Sequence, residues 1–516
     1  MATDAQPRLG KIRSFLWPIY RSELRTFLPM FIIYFLICMN YTLLRAAKDA
    51  LVITAKGSGA EALPFIKVWA ILPMALLFTA LYGKFANRYG RDRVFYIMVS
   101  IFLGFFALFA FAIYPNISLL HPHGLCDSLA TRLPDGFSGL ISIFRNWTFT
   151  LFYCMSELWG TIVMTILFWG FANQMINMGG AKRFYAPLLM GANIASFIAG
   201  AISLQLSAGA IFSLFPESQD PWGMTIGLIT IVILLSGAGI MFAYRWLSKY
   251  GLDTSAICST GKMQDKPKFK MSLGKNFAYL AKSKYLICIA IIVFTYNVSI
   301  NMIEVVWKDQ VHQLISDPNE FSAYMGKVFM AMGAFSTFIS IFICGSSIRR
   351  FGWTFSAMIS PIAILVTGTA FFSFLLFRES GFGAMAIMLG STPLALAVFF
   401  GSMQNCIARA CKYTLFDATK EMAFIPLNSE SKLKGKAAID GVGSRLGKSG
   451  SSLIHQAFLI PLESVTASAP YIAGFFIITI GAWIAATKSL GKQFQAKTQP
   501  EPALTSAEEN AQPELG

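Results

Sequence analysis

The sequence predicts an all-α polytopic membrane protein with about twelve transmembrane helices in two six-helix halves. Three observations carry that prediction. Of the 516 residues 55% are hydrophobic, only 13% are charged and 47 are phenylalanine, with a mean hydropathy of +0.58; no soluble domain of this size sustains such a composition. Apolar runs of about 20 residues, enough to cross a hydrocarbon core of roughly 30 Å as helix, recur along the whole chain. Lysine and arginine fall on every second loop between those runs, as cytoplasmic loops require. The alternating pattern of an outer-membrane barrel is absent, so a helical bundle is the arrangement that satisfies the backbone in lipid.

In order, the spans read Thr26 to Leu44, Pro64 to Gly83, Val94 to Tyr114, Asn146 to Phe171, Phe184 to Leu206 and Trp222 to Leu247, then Tyr285 to Trp307, Tyr324 to Gly345, Thr354 to Phe377, Ala384 to Ala408, Ala437 to Ile460 and Ser468 to Ala486. A basic amphipathic segment, residues 1–25, leads in without a cleavage site, so the first span is expected to be retained as a signal anchor. The halves are 26–247 and 285–487, joined by a basic linker, 248–284; the Pro-, Glu- and Gln-rich tail, 488–516, is expected to be disordered.

The basic loops hold Arg8 to Arg25, Lys84 to Arg93, Lys182 and Arg183, Lys249 to Lys284, Arg349 and Arg350, Lys412 to Lys436, and Lys488 to Lys497. Both termini are therefore expected in the cytoplasm. The net charge of +16 is explained by inner loops facing anionic lipid, which removes the reason to expect nucleic-acid binding. The eight cysteines are scattered, mostly within spans, without zinc spacing or a disulfide framework, and read as small apolar packing residues. No metal, cofactor or catalytic residue is expected.

A charge at the bilayer centre costs at least ~2.5–3.5 kcal/mol on insertion scales, so each one predicted there is a functional candidate. Tyr41, Arg45 and Lys48 share one face of the first span, with Asp49 beside Lys48. Glu157 sits mid-span, one turn before Thr161. Asn297, Asn301, Glu304 and Lys308 form a polar stripe down the seventh span, and Lys436, Asp440, Ser444 and Lys448, with Arg445 beside them, form another in the eleventh. The alternative is that such charges only pair between helices; for Asp49 and Lys308, near span ends, interfacial solvation competes as well.

Stripes from several helices converge most naturally on a shared cavity. Lined by Arg45, Lys48, Arg445 and Lys448, it would be cationic and its substrate an anion. Cations grip phosphate and Asn amides can read a purine edge, which suggests a nucleotide. Tyr41, Phe168 and Trp169 are candidates for stacking a base, with lipid-facing packing as the alternative.

The segment GVGSRLGKSG, Gly441 to Gly450, imitates a phosphate-binding loop. A Walker-type spacing would need glycine at Val442, whereas Gly441 and Gly443 stand one residue off on either side, and no strand precedes it. A nucleotide-hydrolysing membrane enzyme is the competing class that this segment alone suggests.

The halves carry related turns. GKFANRYGRDR (Gly83 to Arg93) and GSSIRRFGW (Gly345 to Trp353) place Gly, Arg, aromatic and Gly in register. This resembles the loop signature of the major facilitator superfamily, with Asn87 where Asp is usual, and implies two repeats around a midplane site with alternating access.

NYTLLRAAKDALVITA (Asn40 to Ala55), SELWGTIVMTILFWGFANQ (Ser156 to Gln174), NMIEVVWK (Asn301 to Lys308) and the block from Lys412 to Gly450 closely resemble the nucleotide transporter family of ATP/ADP translocases, found in plastids and obligate intracellular bacteria. The insert Leu119 to Arg145 is closer to chlamydial members. The resemblance implies antiport of external ATP for internal ADP across a bacterial inner membrane, with phosphate as an open question, by a chain expected to be monomeric. It places the family's functionally sensitive charges on Lys48, Glu157, Glu304 and Lys448, with Lys436 competing for the last position. Some family members import nucleoside triphosphates with protons, a second transport mode for which Glu157 or Glu304 would carry the proton.

Overall fold

A computed structural model describes residues 19–176, 178–208, 220–251, 283–378, 381–427, 435, 439 and 444–498. Its long elements are helices, and eleven of the described ones are long and apolar enough to cross a membrane. In chain order these are α1 (Leu24–Ile53), α2 (Ala62–Arg88), α3 (Arg91–Leu120), α4 (Trp147–Asn173), α5 (Arg183–Ser207), α6 (Pro221–Tyr250), α7 (Lys284–Leu314), α8 (Pro318–Phe342), α9 (Arg350–Leu376) and α10 (Pro393–Ala423). They are followed by the shorter α11 (Ser444–Leu462) and by α12 (Val465–Lys497). The described part of the predicted eleventh span is thus a 19-residue helix that falls short as an autonomous span. Its opening run, Ser-Arg-Leu-Gly-Lys-Ser-Gly-Ser-Ser, carries too little apolar surface. The expected linker 252–282, the tail from 499, and Lys436 and Asp440 lie outside the described residues.

Several predicted boundaries move, and in three spans the move brings charge inside a helix. The first helix runs on to Ile53 and the seventh to Leu314, so Lys48, Asp49 and Lys308 are interior to their helices. The tenth begins later and ends later than its hydropathy suggests. Gly390, at φ 66°, ends the short helix Gly381–Met388; the Thr392 hydroxyl then accepts from Ala395 N at 3.1 Å, with Pro393 in the first turn. The helix continues through Lys412 to Ala423, so the segment from Lys412 onward that reads as a loop starts as membrane helix. In the second of the two related turns, Gly352 holds φ 80°, a conformation that a side chain resists.

One buried apolar core runs through the first six and the last six helices. In the first, Trp159 of α4 meets Phe102 edge-on at 5.8 Å and Phe109 meets Phe152 at 4.5 Å. In the last, Tyr296 of α7 stacks on Phe416 of α10 at 4.3 Å and both meet Trp483 of α12. The halves cross where α5 meets α8 backbone to backbone. A Cβ on Gly200 would lie 2.5 Å from the Gly326 carbonyl, and one on Gly326 would lie 2.7 Å from the Gly200 carbonyl. Small residues make that approach possible, as is usual between membrane helices.

Ties between the halves gather at one end of the bundle, where α1 ends and α2 begins. Gln456 of α11 donates to the Pro64 carbonyl at 2.9 Å, Ser207 of α5 donates to Ser322 of α8 at 3.0 Å, and Thr225 of α6 donates to Asn319 at 2.7 Å. The insert between α3 and α4 contributes two short helices, His123–Ala130 and Ser138–Arg145. Its Gly136 backbone presses on that of Ile460. This end of the molecule is closed.

Candidate functional site

Between the halves lies a cavity of about 450 Å³, walled by α1, α2, α4, α7, α10 and α11. Burial grades along it. Lys48, toward the closed end, is 2% exposed, whereas Tyr413, toward the other end, is 47% exposed. The cavity therefore opens toward the end that carries the basic turns.

The structure brings together Arg45, Lys48, Glu157, Asn297, Asn301, Glu304 and Lys448 as lining residues. Arg445 belongs to α11, but its side chain, like Lys436 and Asp440, lies outside the described residues. Lys448 is on a helix, with Gly447 turned against α7; a Cβ there would lie 2.8 Å from Asn297 Cβ. The glycines of this segment thus bring the lysine-bearing helix close to its neighbour. Three lining cations were not among the sequence candidates: Lys67 of α2, and Arg409 and Lys412 of α10.

The charges are organised around two carboxylates. Glu157 receives Lys48 Nζ at 3.0 Å, and that ammonium also sits 3.1 Å from Asp49 and 3.5 Å above the Tyr153 ring. Glu304 collects Lys308 at 2.9 Å, Arg409 at 3.4 Å and Lys67 at 4.0 Å. Among the described residues no carboxylate lies this close to Arg45; its guanidinium lies over the Phe329 ring at 4.6 Å. The lining holds, among the described residues, six cations against two carboxylates, a surplus of four. Arg409 Nε is buried without an acceptor among the described residues.

Helix geometry shapes the wall. The α-helical ladder gives way to wider π-turns over Ile66–Ala70 in α2, Trp159–Trp169 in α4 and Lys412–Phe416 in α10. Each of these stretches contributes lining side chains: Lys67, then Thr161, Met164 and Thr165, then Lys412 and Tyr413. Such insertions are frequent at functional sites because they re-aim side chains without ending the helix. Gly160 lies in the second of them, and a Cβ there would come 2.9 Å from the Tyr41 ring.

Two expectations need correction. Of the candidate stacking residues only Tyr41 lines the cavity. Phe168 is buried and stacked on Tyr34 at 4.6 Å, and Trp169 meets Tyr34 and Tyr185 edge-on; both complete the packing of α1, α4 and α5. The exposed aromatic face in the cavity belongs to Tyr413. Asn301 is also committed, because its Oδ1 accepts from Lys67 at 3.1 Å and its amide donates to the Asn297 carbonyl at 2.8 Å. It orients a cation from its place in the cavity wall. Asp49 and Lys308 are not solvated at an interface: their side chains are 0% and 1% exposed and 2.9 Å apart.

Residues 2–494 match the family model described as TLC ATP/ADP transporter. The chain is 45% identical over 502 residues to ADP,ATP carrier protein 1 of Chlamydia muridarum, covering 96% of this chain and 93% of the relative. It is 39% identical over 475 residues to the chloroplastic ADP,ATP carrier protein 1 of Arabidopsis thaliana, covering 92% of this chain and 75% of that one. Among solved structures, a bacterial homologue of the iron transporter ferroportin in an inward-facing state superposes with a TM-score of 0.54 at 17% identity, covering 92% of this chain and 98% of that one. This last likeness shows a shared fold and nothing more.

Proposed function

The chain belongs to the TLC ATP/ADP transporter family, and on that premise we propose that it exchanges external ATP for internal ADP by alternating access. The observation that carries the proposal is the cation surplus of a midbundle cavity shut at one end. By the distribution of lysine and arginine the closed end faces outward and both termini face the cytoplasm, in a bacterial inner membrane.

Polyphosphate supplies the missing negative charge. Lys67, Lys448 and Arg409, whose buried Nε has no acceptor among the described residues, take phosphate oxygens through charge-assisted hydrogen bonds. Lys48 joins them from its place on Glu157. Tyr413 and Tyr41 offer faces to the base. Glu157 and Glu304 hold the lysines in place and limit the excess charge, so that product can leave.

Obligate exchange follows from the same charges. A closed, empty cavity with four unneutralised cations is costly in a low-dielectric interior, so the unloaded protein resists passing through an occluded state. A nucleotide removes that cost, and only the loaded carrier reorients quickly. The chain acts as a monomer, and no bond in the nucleotide is broken. Uptake of labelled ATP into proteoliposomes tests this. Vesicles loaded with ADP should take up ATP much faster than empty ones and the label should be recovered as intact ATP; equal rates would refute exchange, and collapse of uptake by a protonophore would favour proton coupling instead.

A further inference from the structure

Asp49 and Lys308 lie behind the cavity and do not line it. They join α1 to α7, the first helix of each half, at the closed end, 2.9 Å apart and 0% and 1% exposed. The other charged tie described there, Lys67 to Glu304, is looser at 4.0 Å. Breaking a buried pair ordinarily strands an uncompensated charge. Here each partner keeps a second opposite charge inside its own half: Asp49 has Lys48 at 3.1 Å, and Lys308 has Glu304 at 2.9 Å. Parting α1 from α7 therefore leaves two paired groups and no orphan.

The sequence repeats the motif asymmetrically. Lys48-Asp49 in α1 has a counterpart in Lys308-Asp309 in α7. Asp309, however, accepts from Gln313 at 2.8 Å, Gln310 at 2.9 Å and Thr466 of α12 at 3.1 Å. It is held within the second half, so of the two aspartates Asp49 is the one that pairs across the halves among the described residues.

We infer that Asp49 and Lys308 form an ionic lock that holds the outer end closed and separates each time the cavity opens outward. The inference rests on the alternating-access reading. It assigns the pair a conformational role, distinct from the phosphate-binding cations, and the shared partners make the lock reversible. Removing either member biases the resting protein toward the outward-open form.

The test uses the full chain with its eight native cysteines replaced and one reporter, Thr161→Cys, in the cavity wall. Intact cells are exposed to a membrane-impermeant cationic thiol reagent, and the labelling rate is followed without nucleotide. Asp49→Asn and Lys308→Gln should each speed external labelling about tenfold or more. Asp49→Glu, which keeps the charge, should stay near the reporter's own rate. The double variant should label no faster than the faster single one, because a lock can be opened only once. Unchanged labelling in both single variants, or effects that multiply in the double variant, would overturn the lock. The unmodified full chain is assayed for ATP/ADP exchange in proteoliposomes in parallel. Exchange by the unmodified chain together with unchanged labelling sinks only the lock, whereas absent exchange by that chain sinks the transport reading on which the lock rests.

Discussion

Lys67→Gln isolates the contribution of one cavity cation with little cost to the fold. Lys67 Nζ donates to Asn301 at 3.1 Å and approaches Glu304 only to 4.0 Å, and Glu304 keeps Lys308 and Arg409 when Lys67 is neutralised. The substitution lowers the cavity surplus from four charges to three. A hydrogen bond to a charged group contributes about 1.5–3 kcal/mol, and about 1.4 kcal/mol is a factor of ten in affinity. ATP should therefore bind roughly 10- to 150-fold more weakly. The same change reduces the penalty of closing an empty cavity, so coupling should loosen: the ratio of uptake into ADP-loaded vesicles to uptake into empty ones should fall even as affinity falls. Titration calorimetry on purified protein gives the first quantity and paired proteoliposome assays give the second. Lys67→Arg should largely restore both. Binding of ATP to Lys67→Gln within a factor of two of the parent would refute the phosphate role, and an unchanged uptake ratio would refute the electrostatic account of exchange.

Other outcomes follow from packing and titration. Gly160→Ala places a Cβ 2.9 Å from the Tyr41 ring and should cost about 1–3 kcal/mol of strain, read as weaker ATP binding by a protein that still elutes as a single species; unaltered affinity would remove Tyr41 from the site. Gly326→Leu drives a side chain into the α5 backbone at Gly200 and should lower the thermal unfolding midpoint in detergent far more than Gly104→Leu, where a Cβ meets nothing within 4 Å. His121, in the insert outside the membrane helices, donates to or accepts from Thr148 at 2.6 Å, and burial with the nearby His123 pushes it down to about 4. Because its folded value lies below the unfolded one near 6.5, the unfolded chain binds more protons in this window and stability rises with pH. Thermal midpoints should fall as pH is lowered from about 6.5 toward 4, and His121→Asn should flatten that slope; equal slopes would exclude His121 as the source.

Isolated charges in long apolar runs made much of the site legible. Glu157 stood out because nothing around it could hydrate an ion, and Lys48 and Glu304 because each completes a polar stripe along its helix, with Tyr41 and Arg45 and with Asn297 and Asn301. Lys67 did not, since it falls three residues after Pro64, at a predicted span end where a lysine can reach water. Arg409 and Lys412 were lost for a related reason: a hydropathy window stops at the first charge, and α10 continues past both. The π-turns in α2, α4 and α10 have no signature in residue order, because an extra residue per turn is set by the packing of the whole bundle. Aromatic residues were the least readable, as Phe168 and Tyr413 differ in which way a turn faces and hardly in their neighbours. The mutual burial of Asp49 and Lys308 is a tertiary fact with no trace in the local pattern of either helix.

The polar beginning of α11 has a consequence for how the protein is made. A helix recognised by the insertion machinery is released into lipid on its own apolar merit, and an arginine or lysine costs about 2.5–3.5 kcal/mol when carried to a helix centre. Ser444–Leu462 opens with Arg445 and Lys448 amid glycine and serine, so it is a poor substrate for independent release. Its proper depth depends on partners: α7, which meets Gly447, and the strongly apolar α12, to which it is joined at Glu463 and Ser464. Membrane integration of this helix is therefore expected to wait on tertiary assembly, and a nascent chain interrupted before Val465 is expected to leave the segment at the membrane surface. The residues that equip the cavity for a charged solute make its last wall dependent on the helix synthesised after it.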